Sequence, residues 1–302
     1  MSQYVTKIRT DQGDKQIDYN ALANLPTISN PNLLINGDFR VWQRGTSFSN
    51  FANKYTADRW YIANANGNTS LVEKSEDVPS GEFMRYSMHI VETNVENSYL
   101  RYTFDYYIKG DFTLSFWYKS NVNFNSYMKN NGAMMHLFKS NASGVWTKAV
   151  INFSATALNC IEIIRALPIG EVYITGVKLE YGDTATPFMP RLYDEEFLLC
   201  LRYYQTVNCR LTMTVYSAER ADGSYYFQVP MRDVPGAVTV NNMTYFDPET
   251  NDFIESVEPV ANFGHISNKY VLIRMNKNAN DTFIIGQSRN ALVNLSIDAE
   301  IY

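Results

Sequence analysis

Aromatic side chains near turns and strand ends are the residues of this chain whose types best fit a binding chemistry. The sequence holds 22 tyrosines, 17 phenylalanines and 4 tryptophans among 302 residues. The apolar face of a sugar ring stacks on Trp or Tyr, and its hydroxyls bond to Asn, Asp and Gln. The candidate carbohydrate-binding residues are therefore Tyr55, Trp60, Tyr118, Tyr225, Tyr226 and Tyr245, with Tyr61, Trp146 and Phe246 beside them. For each of them, packing in a core is the alternative.

Catalysis needs a polar constellation that this sequence does not display in any recognised spacing. It has no G-x-S-x-G elbow, P-loop, dinucleotide fingerprint or H-E-x-x-H motif. Acids such as Glu73, Asp105 and Glu180 could pair for glycoside hydrolysis, but the sequence does not place two of them at the separation that this chemistry requires. We expect no enzyme and no catalytic residue, and a polymer-degrading activity is the weaker alternative.

The cysteines and histidines do not predict a zinc site or a disulfide framework. Cys160, Cys200 and Cys209 are an odd set without C-x-x-C spacing, as expected for a chain that folds in a reducing cytoplasm. The three histidines lack metal-ligand spacing among themselves. We expect the cysteines to be small buried apolar residues.

Composition predicts an all-β protein of two domains. Charged residues make up 19% of the chain and aromatic residues 14%, and flat aromatic side chains pack well on pleated sheets. A length of 302 residues exceeds that of one small sandwich. A net charge of −5 and a pI near 5.3 argue against nucleic acid. No apolar run approaches the roughly 20 residues that span a bilayer, and no signal peptide is visible, so we expect no membrane insertion.

Period-two alternation with turn residues between runs predicts strands along most of the chain. In the first half the strands are expected at residues 33–35, 69–74, 85–91, 99–106, 112–118, 146–153, 161–166 and 171–181. In the second half they are expected at residues 210–217, 224–229, 237–241, 270–275, 282–285 and 292–301. Short strands of this kind predict a sandwich or jelly roll.

The boundaries between these strand groups predict four regions. Residues 1–31 carry few large apolar groups and are expected to be an extended N-terminal arm that docks onto another chain. Residues 32–190 form the first β-sandwich. In residues 191–209 the apolar spacing changes to three and four, with acids in the first turn, which predicts a short connecting helix. Residues 210–302 form a second, smaller antiparallel β-sandwich.

Three segments of the first half resemble a known family. They are the Asn-Gly-Asp-Phe segment with its Trp-Gln-Arg-Gly at 36–45, the Thr-Leu-Ser-Phe-Trp strand at 113–117, and the exit from Val-Lys-Leu-Glu-Tyr-Gly-Asp to Cys-Leu-Arg-Tyr-Tyr-Gln at 177–205. Together they resemble the carbohydrate-binding-module-like jelly roll of bacteriophage tail fibres and other virion appendages. The resemblance covers residues 32–205. Lys178 and Leu201 stand where the family usually has Gln.

The resemblance implies a virion protein that is assembled in the host cytoplasm. Such proteins are commonly homotrimers that attach to other virion proteins through the N-terminus, here residues 1–31. The C-terminal region, residues 210–302, would then face outward and adhere to a bacterial surface glycan or protein. The alternative is a capsid (head) fibre or decoration protein with a structural or weak glycan-adhesion role.

The resemblance also implies a possible structural calcium ion and no other cofactor. In related jelly rolls the first and last strands are neighbours, and calcium lies near that seam with carboxylate and carbonyl ligands. The carboxylates of this chain that could contribute are Asp38, Glu180 and Asp183.

Overall fold

The computed structural model describes residues 7–10, 13–16, 29–64, 67, 69–93, 98–247, 252–255, 260–276, 283 and 288–300. Two antiparallel sheets with one short helix between them account for most of these residues. The predicted all-β fold with a connecting helix is therefore confirmed. Among the described residues, no helix is both long and apolar enough to cross a bilayer.

The first domain is a jelly-roll β-sandwich whose strands form one connected network. Its strands are β3 Ser47–Phe51, β4 Asn53–Tyr55, β5 Tyr61–Asn64, β6 Thr69–Ser75, β7 Ser87–Glu92, β8 Ser98–Ser120, β9 Asn125–Asn130, β10 Ala133–Lys139, β11 Thr147–Leu167 and β12 Gly170–Tyr181. The main hydrogen-bonded order is β10-β9-β11-β8-β12-β7-β6-β3, and β5 pairs with β4 and β8.

Two long strands join the layers of this domain. β8 and β11 pair along most of their length, with register shifts between Ala155 and Cys160 and again between Glu162 and Leu167. The first residues of β8 pair with β5, whereas its last third pairs with β12. Register shifts of this kind bend a strand and strengthen its twist, so one strand can contribute to two layers.

The Asn-Gly-Asp-Phe segment packs against the last strand of the jelly roll. Asn36 is fully buried, and its side chain bonds to the backbone of Val41 and to the carbonyl of Asp58. The indole of Trp60 donates to the carbonyl of Asn36 at 2.9 Å. The carbonyl of Gly37 accepts from the amide of Val177, in β12, at 2.8 Å. This segment therefore attaches the start of the first domain to its last strand, β12.

Gly37 has no room for a side chain, and we expect Gly37→Ala to destabilise the fold by about 2–3 kcal/mol. A Cβ at Gly37 would lie 2.1 Å from the carbonyl oxygen of Val177, which belongs to the backbone and cannot rotate away. The matched control is Gly236→Ala, because a Cβ there meets nothing within 4 Å. Urea unfolding of both variants checks the difference. Equal stability of the two would contradict the close approach.

The helix α1, Tyr193–Leu201, rests on the first domain. The carboxylate of Glu196 accepts from the backbone amide of Asn36 at 2.6 Å and pairs with Arg191 at 3.1 Å. The chain leaves the helix and enters β13 at Tyr204, so the predicted region 191–209 contains both the helix and the start of a strand.

The second domain is a seven-stranded antiparallel sheet with an apolar core of its own. Its strands are β13 Tyr204–Ser217, β14 Arg220–Tyr226, β15 Ala237–Asp247, β16 Asp252–Glu255, β17 Val260–Ile266, β18 Tyr270–Asn276 and β19 Ser288–Asp298, in the order β16-β15-β19-β13-β14-β18-β17. Alternate residues of β13 and β19 point into one apolar cluster that includes Met213, Leu295 and Ile297. The Asp222-Gly223 pair, whose residue types favour a hairpin turn, instead lies inside β14, where Gly223 packs against Met213.

Buried charges hold the two domains together. Arg59 of the first domain donates to the carboxylate of Glu300, and both side chains are at most 1% exposed. The guanidinium of Arg59 also lies 3.6 Å from the centre of the Tyr203 ring. Arg44 pairs with Asp298 at 3.2 Å. The domains are thus joined through ion pairs between distant parts of the chain.

The N-terminal region falls mostly outside the described residues. Within it, β1 (Lys7–Thr10) and β2 (Gly13–Gln16) pair as an antiparallel hairpin. The attachment arm expected at residues 1–31 remains a prediction.

Candidate functional site

Most of the aromatic candidates chosen from the sequence lie in the two cores. The buried ones are Tyr55, Trp60, Tyr118, Tyr225 and Tyr245, with exposed fractions between 0% and 8%. A ring enclosed by protein offers no free face to a sugar, so the expectation that these five stack on a glycan is corrected. Tyr226 is 71% exposed, and its ring lies 5.7 Å from that of Tyr270.

Two of the three carboxylates expected to hold calcium are bound by cationic side chains. Asp38 pairs with Arg40, and Glu180 lies 3.2 Å from the ammonium of Lys178. Asp183 is exposed. The described residues contain no group of three or more His, Cys, Asp or Glu side chains that could hold a metal ion. The donor set therefore does not fit a calcium ion at this seam.

Lys178 occupies an oxygen cage at the place where the sequence predicted calcium. Its ammonium, at the end of a side chain that is 1% exposed, donates to the hydroxyls of Ser29 and Thr186 and to the carbonyls of Thr186 and Pro187. Glu180 supplies the negative charge and also accepts from Thr186. Burial lowers the pKa of Lys178, and Glu180 opposes that effect. A lysine of this chain thus provides the cation.

A row of side chains crosses five neighbouring segments on the outer face of the jelly roll. Residues directly opposite in the register are Glu73 of β6, His89 of β7, Tyr173 of β12 and Lys119 of β8. Trp146, just before β11, completes it through ring contact with Tyr173 at 6.3 Å. We call these five residues the aromatic row. Their neighbours in sequence, among them Val72, Met88 and Val172, are in the core, so the aromatic row faces outward.

Close contacts fix the aromatic row. The rings of His89 and Tyr173 are stacked, with centroids 4.0 Å apart and planes within 5°. The ammonium of Lys119 lies 4.4 Å from the Tyr173 centroid. The indole of Trp146 donates to Asp77 at 2.9 Å, and Lys119 pairs with the same carboxylate. The side chains are thereby held in place before any ligand arrives, which lowers the entropic cost of binding.

Carboxylates surround the rings of the aromatic row. His89 Nδ1 lies 3.0 Å from Glu73 and Nε2 lies 3.1 Å from Glu171, and a neutral imidazole can donate to only one of them. Glu73 and Glu171 keep 39% and 44% of their side chains exposed. Burial would raise the pKa of Asp77, but hydrogen bonds from Lys119 and Trp146 outweigh it and lower the pKa. Burial, followed by Glu171, raises the pKa of Tyr173.

This arrangement combines partly exposed rings with acceptors and a cation. Such a surface can stack on the apolar face of a pyranose and bond to its hydroxyls. Sequence reasoning named Trp146 and missed Tyr173 and His89. The alternation along β12 is the signal that could have identified Tyr173. Glu171 and Tyr173 occupy outward positions of this strand, and Val172 and Ile174 occupy inward positions.

Comparison with known proteins reveals only remote similarity. No protein-family model and no curated protein matches the chain. A proposed sugar-binding protein of Bacteroides thetaiotaomicron is 20% identical over 50% of this chain and 100% of its own, with a TM-score of 0.36.

Two further solved structures extend over both domains. The N-terminal CBM22-1–CBM22-2 tandem domain of Paenibacillus barcinonensis Xyn10C is 10% identical over 89% of this chain and 96% of its own, with a TM-score of 0.36. The triple jelly roll of an archaeal virus turret is 10% identical over 97% and 88%, with a TM-score of 0.21. Similarity at this level assigns no function to this chain.

Proposed function

We propose that this protein is a non-catalytic adhesion module that binds a bacterial surface glycan through the aromatic row. One observation carries the proposal: Glu73, His89, Tyr173 and Lys119 face outward in register across neighbouring strands, and Trp146 contacts Tyr173, so that three rings and two charged groups form one surface. An outer sheet surface needs no such ordered stack for stability, since exposed strand positions accept short polar side chains.

The ligand contacts follow from the chemistry of the aromatic row. Trp146 and Tyr173 supply apolar surface for a pyranose ring, and the exposed carboxylates of Glu73 and Glu171 accept bonds from its hydroxyls. Lys119 donates to ring or hydroxyl oxygens. Affinity per site is expected to be weak, and several copies on one particle would raise the avidity.

The proposal that this module belongs to a virion rests on the motifs at residues 36–45, 113–117 and 177–205. Their resemblance to virion appendage proteins supports a phage tail fibre that is homotrimeric and attached through residues 1–31. The alternative is a capsid fibre or decoration protein. Electron microscopy of particles labelled at a tag after residue 302 distinguishes a tail location from a head location. Absence of the label from the particle would contradict both virion roles.

Loss of either exposed ring is the direct test of the aromatic row. We expect Tyr173→Ala and Trp146→Ala each to weaken glycan binding about tenfold, because one stacking contact is worth about 1–1.5 kcal/mol. Binding is measured on an array of bacterial surface polysaccharides and then by calorimetry with the strongest ligand.

The matched control for these variants is Tyr106→Ala, since Tyr106 is 74% exposed and lies outside the aromatic row. It should bind as the wild type does, and all three variants should melt near the wild-type temperature. Unchanged binding in both variants of the aromatic row would refute the site.

A further inference from the structure

A cleft lies between the two domains and shares no residue with the aromatic row. Its volume is about 410 Å³, within the range of small-ligand sites. The first domain contributes Phe48, Lys54 and Tyr55, and the second contributes Tyr204, Thr239 and Ser296. Because neither domain forms the cleft alone, its shape depends on the ion pairs that join them. We call it the junction cleft.

Arg44 lines the junction cleft and is neutralised by its surroundings. Its guanidinium lies 3.6 Å from the centre of the Tyr204 ring and 3.2 Å from Asp298. Asp58 and Glu300 each lie 3.7 Å away. Burial, opposed by Arg44 and Gln43, raises the pKa of Asp58 to about 6. Arg44 therefore holds the two walls in place and brings no free positive charge to a ligand.

Lys54 is the cation of the junction cleft that is available to a ligand. It is exposed, and within the described part of the chain it forms no ion pair. Its ammonium lies 5.2 Å from the Phe48 centroid and 5.9 Å from that of Phe51. An ammonium that lies beside aromatic faces and forms no ion pair of its own attracts an anion that also carries an apolar surface.

Three further lining groups are short and polar. Asn53 precedes Lys54 in β4, and Thr239 and Ser296 face each other across β15 and β19. An amide and two hydroxyls of this kind suit the hydroxyl groups of a sugar. Free inorganic anions would satisfy Lys54 but would leave these groups and the rings unused.

We propose that the junction cleft binds a carboxylated sugar, such as a hexuronic acid residue of a polysaccharide. The carboxylate pairs with Lys54, the ring packs against Phe48, and hydroxyls bond to Asn53, Thr239 and Ser296. This site is distinct from the aromatic row. The two could bind different residues of one glycan or different glycans.

The test uses the full chain and a defined probe, a galacturonic acid trisaccharide, with its carboxyl-reduced galactose counterpart as the neutral control. Calorimetry should detect binding of the acidic form and at least tenfold weaker binding of the neutral form, since a hydrogen bond to a charged group contributes about 1.5–3 kcal/mol. Lys54→Gln should remove this preference. The control Lys148→Gln, an exposed lysine outside the junction cleft, should preserve it.

Two further outcomes separate the junction cleft from the aromatic row. Tyr173→Ala should retain binding of the trisaccharide, and Lys54→Gln should retain the array ligand of the aromatic row. Equal binding of acidic and neutral probes, or unchanged binding in Lys54→Gln, would overturn the proposal. Loss of trisaccharide binding in Tyr173→Ala would also overturn it by assigning the probe to the aromatic row.

Discussion

Arg59→Met is expected to destabilise the folded chain by about 3–5 kcal/mol, because it leaves the carboxylate of Glu300 buried without its main partner. The Glu300 side chain is 0% exposed, and Arg59 binds it through a guanidinium nitrogen at 2.5 Å and through its backbone amide at 3.2 Å. Arg59 also donates to the carbonyl of Thr103 at 2.7 Å. One substitution thus breaks a contact between the domains and a bond within the first.

Urea unfolding of wild type and variant measures this loss. The double variant Arg59→Met with Glu300→Gln should recover part of the loss, because it no longer buries an unpaired charge. The control is Arg85→Met, an exposed arginine without an ion pair in the described part of the chain, which should change stability by no more than about 0.5 kcal/mol. A loss in Arg59→Met no larger than in the control would show that the domains are held together by other contacts.

Local patterns identified the longer strands, such as β8 and β11, but missed β3–β5, β9 and β10 and placed a strand at residues 33–35 where the structure has none. They also left open which face of each strand is buried. In β8 the alternation through Phe116, Trp117, Tyr118 and Lys119 was visible in the sequence. The structure turns Phe116 and Tyr118 into the core and leaves Trp117 and Lys119 partly exposed. Because an alternating run of mostly aromatic residues has two apolar faces, its sequence alone does not tell which one is inside.

The aromatic row could not be assembled from sequence because its members come from distant segments. Glu73, His89, Lys119, Trp146 and Tyr173 become neighbours only through the strand order β6-β7-β12-β8-β11. The contact between the two domains also joins distant segments, because Arg59 and Glu300 are separated by 241 positions. Register between remote strands depends on the global packing of the sheet, which local propensity does not encode.

The segment around Asn36 shows what a motif can and cannot indicate. The structure explains its residue types through the buried Asn36 amide and the contact of Gly37 with β12. The family resemblance suggested calcium at Asp38, Glu180 and Asp183. Lys178, the departure from the family pattern noted in the sequence, changes the chemistry of that seam.

Lys178→Met is expected to cost about 3–5 kcal/mol, because it leaves Glu180 buried opposite no cation. The side chains of both residues are at most 1% exposed, and their charged atoms lie 3.2 Å apart. Besides Glu180, four oxygens of Ser29, Thr186 and Pro187 would each lose one donor. Since a methionine has a similar length, the loss measures charge and hydrogen bonding more than volume.

The double variant Lys178→Met with Glu180→Gln distinguishes a lost ion pair from poor packing. The double variant buries no unpaired charge, so it should recover part of the loss seen in Lys178→Met. Lys109→Met, at an exposed position, should match wild type. A double variant that is no more stable than Lys178→Met, measured by urea unfolding, would show that Lys178 stabilises the seam by packing alone.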